Sequence, residues 1–208
     1  GYSALSELSL AGLSSTFGAI LILIALLWKV GAGPLHMWVP DVYEGSPSII
    51  TALFAIVPKI SIIGVIIRLI TGPFIGVLSD IQSLLILSAI LSLLAGCIGA
   101  LNQSKLKRVL AYSAISHTGF LLAGISAGSI EGLIATLIYN VLYIFMSFNT
   151  FTIIVSLFPG SANYSSMIAG LSRHNLILAL TLAIALLSLA GIPPLAGFIS
   201  KYWVLIAT

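Results

Sequence analysis

Apolar positions in this chain run on without the polar alternation of a half-exposed helix or strand. Six stretches have this character, at about 14–39, 48–71, 79–102, 106–128, 130–158 and from about 175 to Lys201 and beyond. Each exceeds the ~20 residues that cross a bilayer as helix, and none shows the ~10-residue alternation of a strand barrel. The pattern predicts an all-α polytopic membrane protein with about six transmembrane helices. Two of these helices are broken, at Gly31-Ala32-Gly33-Pro34 and at Gly191-Ile192-Pro193-Pro194. Such breaks free backbone groups that lipid cannot satisfy, so they belong beside a hydrated cavity or inside protein. They lie five spans apart and therefore cross in opposite directions, as expected of an inverted repeat with a five-helix period. On this reading 1–208 is a single membrane domain that holds only part of such a repeat.

Composition strengthens the membrane reading. Of 208 residues 60% are hydrophobic and only 6% charged, with mean hydropathy +1.22, whereas a soluble domain carries roughly 25% charged residues. The net charge of +3 arises from few groups and gives no ground for a nucleic-acid partner; the solvent is the lipid bilayer. Cys97 stands alone in an apolar run, which excludes an internal disulfide and reads as a packed thiol. No signal-peptide pattern opens the chain. It begins at Gly1, and its last apolar segment stops at Thr208 soon after a lysine. That is the pattern expected of a fragment, or of one piece of a split chain.

Charge also predicts orientation. With alternating spans, the loops at 40–47, 103–107 and 159–173 share one face, which carries Lys105, Lys107, Arg108 and Arg173. The other face holds Glu7, Asp80 and Glu131, with Arg68 as its main cation. The positive-inside rule puts the first face in the cytoplasm or the mitochondrial matrix.

The candidate chemistry lies between Lys29 and Lys59. Each lysine stands roughly 11 residues from the polar turn at 40–47, hence about 16 Å deep in a ~30 Å hydrocarbon layer. Two cations at mid-membrane are costly and call for a functional account. Snorkelling to an interface is the other account, and it is hard to sustain for Lys59, flanked by apolar residues at 48–58 and 60–67. Lys201, beyond the second break, poses the same choice. His36 follows Lys29 by two turns and shares its face if the helix resumes after Pro34. His117 lies about 12 residues into its span; both histidines are either proton shuttles or neutral rings bonded to a hydroxyl or carbonyl. Tyr112, Ser113, Ser116, Tyr139, Asn140, Tyr143 and Asn149 line water wires or, as the simpler account, make interhelical hydrogen bonds. Asp41 and Glu44 sit in the turn, solvated by default, with a basic partner open to Asp41. The three scattered histidines, with His174 at a surface, lack the spacing of a metal site. No phosphate loop, dinucleotide fingerprint or nucleophile elbow is present, which leaves no cofactor on this chain.

The blocks WKVGAGPLHMWVPDVYEGSP and VPKISIIGVIIRL resemble the antiporter-like membrane subunits of respiratory complex I, as do NQSKLKRVLAYSAISHTGFLL and SLAGIPPLAGFISKYWVL. PDVYEGSP with PKISI is most similar to the mitochondrial second-subunit branch of the plant or protist kind. The resemblance covers most of 17–205. It implies a fourteen-helix antiporter-like fold with two inverted five-helix repeats, of which 14–71 would end the first and 79–208 form most of the second, and proton translocation driven by quinone reduction elsewhere. It further implies a proton relay through Lys29, Lys59 and Lys201, with His36 and His117 on the same hydrophilic axis. FMN, iron–sulfur clusters and ubiquinone would sit on other subunits, and the partners would be other membrane subunits of the complex. The setting would be the mitochondrial inner membrane or, alternatively, a bacterial plasma membrane. A multisubunit cation/proton antiporter shares these motifs, and a non-pumping membrane scaffold is the third reading. One element of the family is missing: the membrane glutamate that pairs the first lysine has no counterpart before Lys29. Glu7 lies in a surface segment, so the glutamate belongs to a missing part or to a separate chain supplying further helices.

Overall fold

The computed structural model describes residues 13–157, 171 and 175–208, with side chains from 16 onward apart from that of Leu157. Eight α-helices account for nearly all of them: α1 Leu13–Val30, α2 Trp38–Gly45, α3 Ser48–Ile70, α4 Leu78–Leu101, α5 Leu106–Ser126, α6 Ile130–Leu157, α7 Leu176–Ala190 and α8 Ala196–Ala207. A single 3₁₀ turn, Ile75–Val77, leads into α4. Among the described residues, four segments are long and apolar enough to cross a membrane, Ser48–Ile70, Ile75–Leu101, Leu106–Ser126 and Ile130–Ser156. The helices beside the two breaks are shorter and equally apolar.

Both breaks are built alike. α1 ends in a Schellman motif: Ala32 N–H donates to Leu27 O (2.9 Å) and Gly31 N–H to Trp28 O (3.1 Å). α7 ends the same way, with Ile192 N–H donating to Leu187 O (3.3 Å) and Gly191 N–H to Ser188 O (3.1 Å). The turn requires a left-handed residue just past the helix end, and Gly31 (φ 77°) and Gly191 (φ 85°) supply it. Three residues further on come Pro34 and Pro194, each after a cis peptide bond.

α4 lies lengthwise along α5, and α6 packs on α3, α5, α7 and α8. The α4–α5 contact is close because glycines stand where the helices meet. A Cβ on Gly96 would lie 2.7–2.8 Å from the Ser116 and Tyr112 backbone, and one on Gly99 would enter the Tyr112 ring. Gly119 faces Ala89 and Leu93 in return. Small residues that let two backbones approach are the usual basis of helix association in lipid, where apolar burial gives no net drive. Large apolar side chains such as Leu87, Phe145 and Leu205 point outward, as lipid solvent requires.

Three expectations are corrected. The polar turn at 40–47 is mostly the short helix α2, so Asp41 and Glu44 stand on helix rather than in a solvated loop. The helix does not resume regular geometry straight after Pro34: His36 lies in the non-helical stretch 31–37 and does not share a helical face with Lys29. Cys97 is exposed, because its neighbour Gly96 takes the inward position on α4. Glu7, Arg173 and His174 lie outside the described residues.

Candidate functional site

Among the described residues, Lys59 is the one buried cation, with 4% of its surface exposed. It sits mid-way along α3 directly after Pro58, whose ring nitrogen cannot donate to the Phe54 carbonyl one turn earlier. The ammonium reaches across to two other helices. It donates to Ala114 O on α5 and to Tyr143 OH on α6 at 3.2 Å, and lies 4.4 Å from the centre of the Tyr143 ring. A cation against an aromatic face gains electrostatic stabilisation that grows as water is excluded.

From Tyr143 the polar line continues inward. The His117 ring lies 4.9 Å from the Tyr143 ring, centre to centre. His117 Nδ1 is 2.6 Å from Tyr139 OH, and the ring is 3% exposed. Thr118, next along α5, returns its hydroxyl to Ala114 O at 2.9 Å. That carbonyl therefore has a second partner besides Lys59.

Lys201 closes the line from the far side. Its ammonium donates to Ala190 O (2.9 Å) and Leu189 O (3.3 Å). These are the two carbonyls at the end of α7 that the Schellman motif leaves without a backbone donor. A cation at a helix C-terminus also meets the negative end of the helix dipole. The aliphatic stem lies against Gly191, where a Cβ would meet Lys201 Cδ at 2.9 Å. The same ammonium stands 5.2 Å from the Phe120 ring, and Phe120 stacks on Tyr139 at 6.0 Å. Lys201 is thus held part-buried beside the His117–Tyr139 pair.

Lys29 and His36 are placed differently. Lys29 is exposed, and among the described residues no carboxylate pairs with it; the three ion pairs lie elsewhere. The stretch 31–37 between Lys29 and the polar turn is not helical, so the eleven-residue spacing does not translate into a regular helical rise. It still borders a cavity of about 30 Å³ that Trp38, Tyr43, Pro58 and Lys59 also line. A space of that size holds water when it has polar partners, so the two lysines share one small chamber. Across the break, Trp38 Nε1 donates to Trp28 O at 3.0 Å. His36 is half-buried, and its Nδ1 is buried without a hydrogen-bond partner among the described residues.

The ion pairs gather at the polar end of the molecule. Arg108 reaches Asp41 Oδ1 at 2.7 Å and also Glu44, Lys105 pairs with Glu44, and Lys107 donates to Ser46 O at 2.8 Å. The predicted basic partner of Asp41 is therefore Arg108, and the turns at 40–47 and 103–107 do share a face. The hydrogen bond from Lys105, aided by the Arg108 charge, holds the Glu44 carboxyl below its ordinary range. A depressed carboxyl stabilises the fold where it is ionised. The contribution is complete above the ordinary glutamate value of about 4.3 and is lost as pH falls through the lower folded value. Acidification below about pH 4 should lower the melting temperature of the parent protein more than that of Glu44→Gln. Because the group is exposed, the difference should be small and shrink with added salt. Thermal unfolding in detergent at two salt concentrations measures it.

Tyr139 and Tyr143 were expected to make interhelical hydrogen bonds, and they do; their partners are the candidate site itself. The signal was their four-residue spacing on one face of an apolar helix. Asn140 is buried at 6% exposure with its Oδ1 unpartnered among the described residues, while Asn149 is exposed.

Comparison with known proteins follows the same lines. The family described as NADH:quinone oxidoreductase/Mrp antiporter, transmembrane, matches residues 2–208. NADH-quinone oxidoreductase subunit N of Pelagibacter ubique is 44% identical over 191 residues, 91% of this chain and 41% of that protein. NADH-ubiquinone oxidoreductase chain 2 of Metridium senile is 44% identical over 197 residues, 95% of this chain and 49% of that protein. A chain of respiratory complex I from Thermus thermophilus matches with TM-score 0.77 and 31% identity, covering 94% of this chain and 44% of its own length. A chain of the Mrp complex from Dietzia matches in fold, with TM-score 0.82 at 24% identity, over 98% of this chain and 39% of its own length. The chain spans less than half the length of each of these relatives.

Proposed function

Because the chain belongs to the NADH:quinone oxidoreductase/Mrp antiporter family of membrane proteins, we propose that it is part of a proton-translocating, antiporter-like subunit of respiratory complex I. The observation that carries this reading is the buried line from Lys59 through Tyr143, His117 and Tyr139, with part-buried Lys201 reaching it by way of Phe120. No bond other than N–H and O–H forms or breaks along it. Lys59 gives a proton toward Tyr143 and His117, and the imidazole accepts at one nitrogen while donating from the other. Arrival of charge at one end disfavours charge at the next basic group, so protonation at Lys201 and at Lys59 are linked electrostatically. Lys29 enters through the chamber that it shares with Lys59, and His36 joins from the non-helical stretch 31–37 beside it.

The driving reaction, NADH oxidation with quinone reduction, belongs to other subunits, which carry FMN, the iron–sulfur clusters and the ubiquinone site. The polar end with Lys105, Lys107 and Arg108 faces the mitochondrial matrix, or the cytoplasm if the chain is bacterial. The matched Schellman breaks at Gly31 and Gly191 support the inverted repeat, with 14–71 ending one copy and 79–208 forming most of the next. Other membrane subunits of the complex are the partners, and a further chain or segment supplies the acidic partner of Lys29. Native purification tests the assignment. Co-migration with flavin and iron–sulfur subunits is the expected result, and migration with small membrane subunits alone would assign the chain to a cation/proton antiporter instead.

A further inference from the structure

The break in α1 leaves the peptide groups of 31–37 outside any helix ladder, in a part of the molecule surrounded by apolar side chains. At its centre, Gly33 is met by two buried serines of α4. Gly33 N–H donates to Ser92 Oγ at 2.7 Å, and Ser88 Oγ donates to Gly33 O at 2.8 Å. Ser92 Oγ in turn donates to Ser88 O at 2.6 Å, so each hydroxyl proton has a defined acceptor. Ser88 is 3% exposed and Ser92 0%. The approach is backbone to backbone: a Cβ on Gly33 would lie 2.8 Å from Leu91 C and Ser92 N. Two serines one helical turn apart thus do for the N–H and C=O of this single residue what an intact helix would have done.

We propose that Ser88 and Ser92 are positioning residues for proton transfer: they latch the broken segment of α1 and so fix Lys29 and His36 relative to Lys59. Lys29 lies four residues before Gly33 and His36 three after it, so any shift of that peptide moves both ends. The second break is held by other means, since its free carbonyls accept from Lys201 itself. A neutral, hydroxyl-based latch keeps the first break in place whatever the charge on Lys29. This inference rests on the proton-relay reading above.

The test uses the assembled complex and the ratio of protons translocated to NADH oxidised, measured in sealed vesicles. A purely structural role would lower assembly and both activities together and leave that ratio unchanged. Misplacing a reacting group by about 1 Å can cost about 10²-fold in rate, so the Ser88→Ala/Ser92→Ala variant should lose the ratio severalfold. Ser92→Thr keeps the hydroxyl and its bond to the carbonyl four residues back, and should retain the parent ratio. If the double alanine variant fails to assemble, Ser92→Cys is read in the same way, since a thiol of similar size is a poor hydrogen-bonding group. An unchanged ratio in the assembled variant, with Lys59→Met lowering it, overturns the latch alone. An unchanged ratio in both overturns the relay reading and the latch with it.

Discussion

Lys59→Met is expected to give a fully assembled complex that oxidises NADH but translocates fewer protons for each molecule consumed. The expectation of normal assembly is structural. Lys59 is buried without a carboxylate among the described residues, so the ammonium has been moved out of water with only a carbonyl, a phenol and a ring as compensation. Replacing a buried ionic group by an apolar one of similar volume is often neutral or stabilising. The groups left behind do not all become orphans, since Ala114 O keeps the hydrogen bond from Thr118. Lys59→Ala is the poorer test, because truncating a long buried side chain typically costs about 2–5 kcal/mol through the cavity it opens. The functional loss should be large. A positioned proton donor and acceptor contributes about 10²–10⁴-fold to a transfer step, and proton flux through this chain should fall on that scale. Proton uptake per NADH by sealed vesicles, normalised to assembled complex on a native gel, measures it. Undiminished uptake from a fully assembled Lys59→Met complex would end the relay account.

Gly197→Ala should fail for a different reason, at the level of assembly. Gly197 is the second residue of α8, where the chain doubles back after the break and presses against the end of α7. An added Cβ would collide with the Ser188 carbonyl, and Met146 Sδ stands at 3.3 Å to block a sideways shift. Ser188 O already accepts from Gly191 N–H in the Schellman motif, so moving it opens the break itself. Overpacking a well-filled site typically costs about 1–3 kcal/mol, more when backbone must move, and Gly197→Ala belongs at or above the top of that range. The measurable result is a lower melting temperature and loss of the chain from the native complex. Retention of normal assembly would show that α8 can shift along α7.

How far the sequence could be read depends on what each signal encodes. Long apolar runs report helix ends well, and α3, α4, α5 and α6 fall within about two residues of the expected spans. Glycine with proline three residues later reported both breaks, because few other sequences make that turn. The place of Lys59 midway along α3 followed from counting residues from the polar turn. Azimuth was a different matter. A helix that is apolar on every side carries no periodic pattern to say which face meets protein and which meets lipid, so spacing could not tell that Lys59 is buried among the described helices while Lys29 is exposed. The stretch after Pro34 was unreadable in the same way, since a break fixes where a helix ends but not how the next begins. Ser88 and Ser92 did leave a trace: two hydroxyls one turn apart in an otherwise apolar helix. Their acceptor, a single glycine 55 to 59 residues away, is visible only in three dimensions.

The glycines between α4 and α5 carry a consequence for manufacturing tolerance. Gly96 lies one helical turn beyond Ser92, and its Cα runs against the backbone at Ser116 and Tyr112. A helix is stiff over one turn, so whatever spacing is set at Gly96 is delivered almost unchanged at the serines. Hydrogen bonds of 2.7 and 2.8 Å to Gly33 have little slack, because N–H···O and O–H···O contacts fade within a few tenths of an ångström beyond ~3.2 Å. Gly96 therefore acts as a shim: the absence of one methyl group gauges the fit of a joint that it never touches.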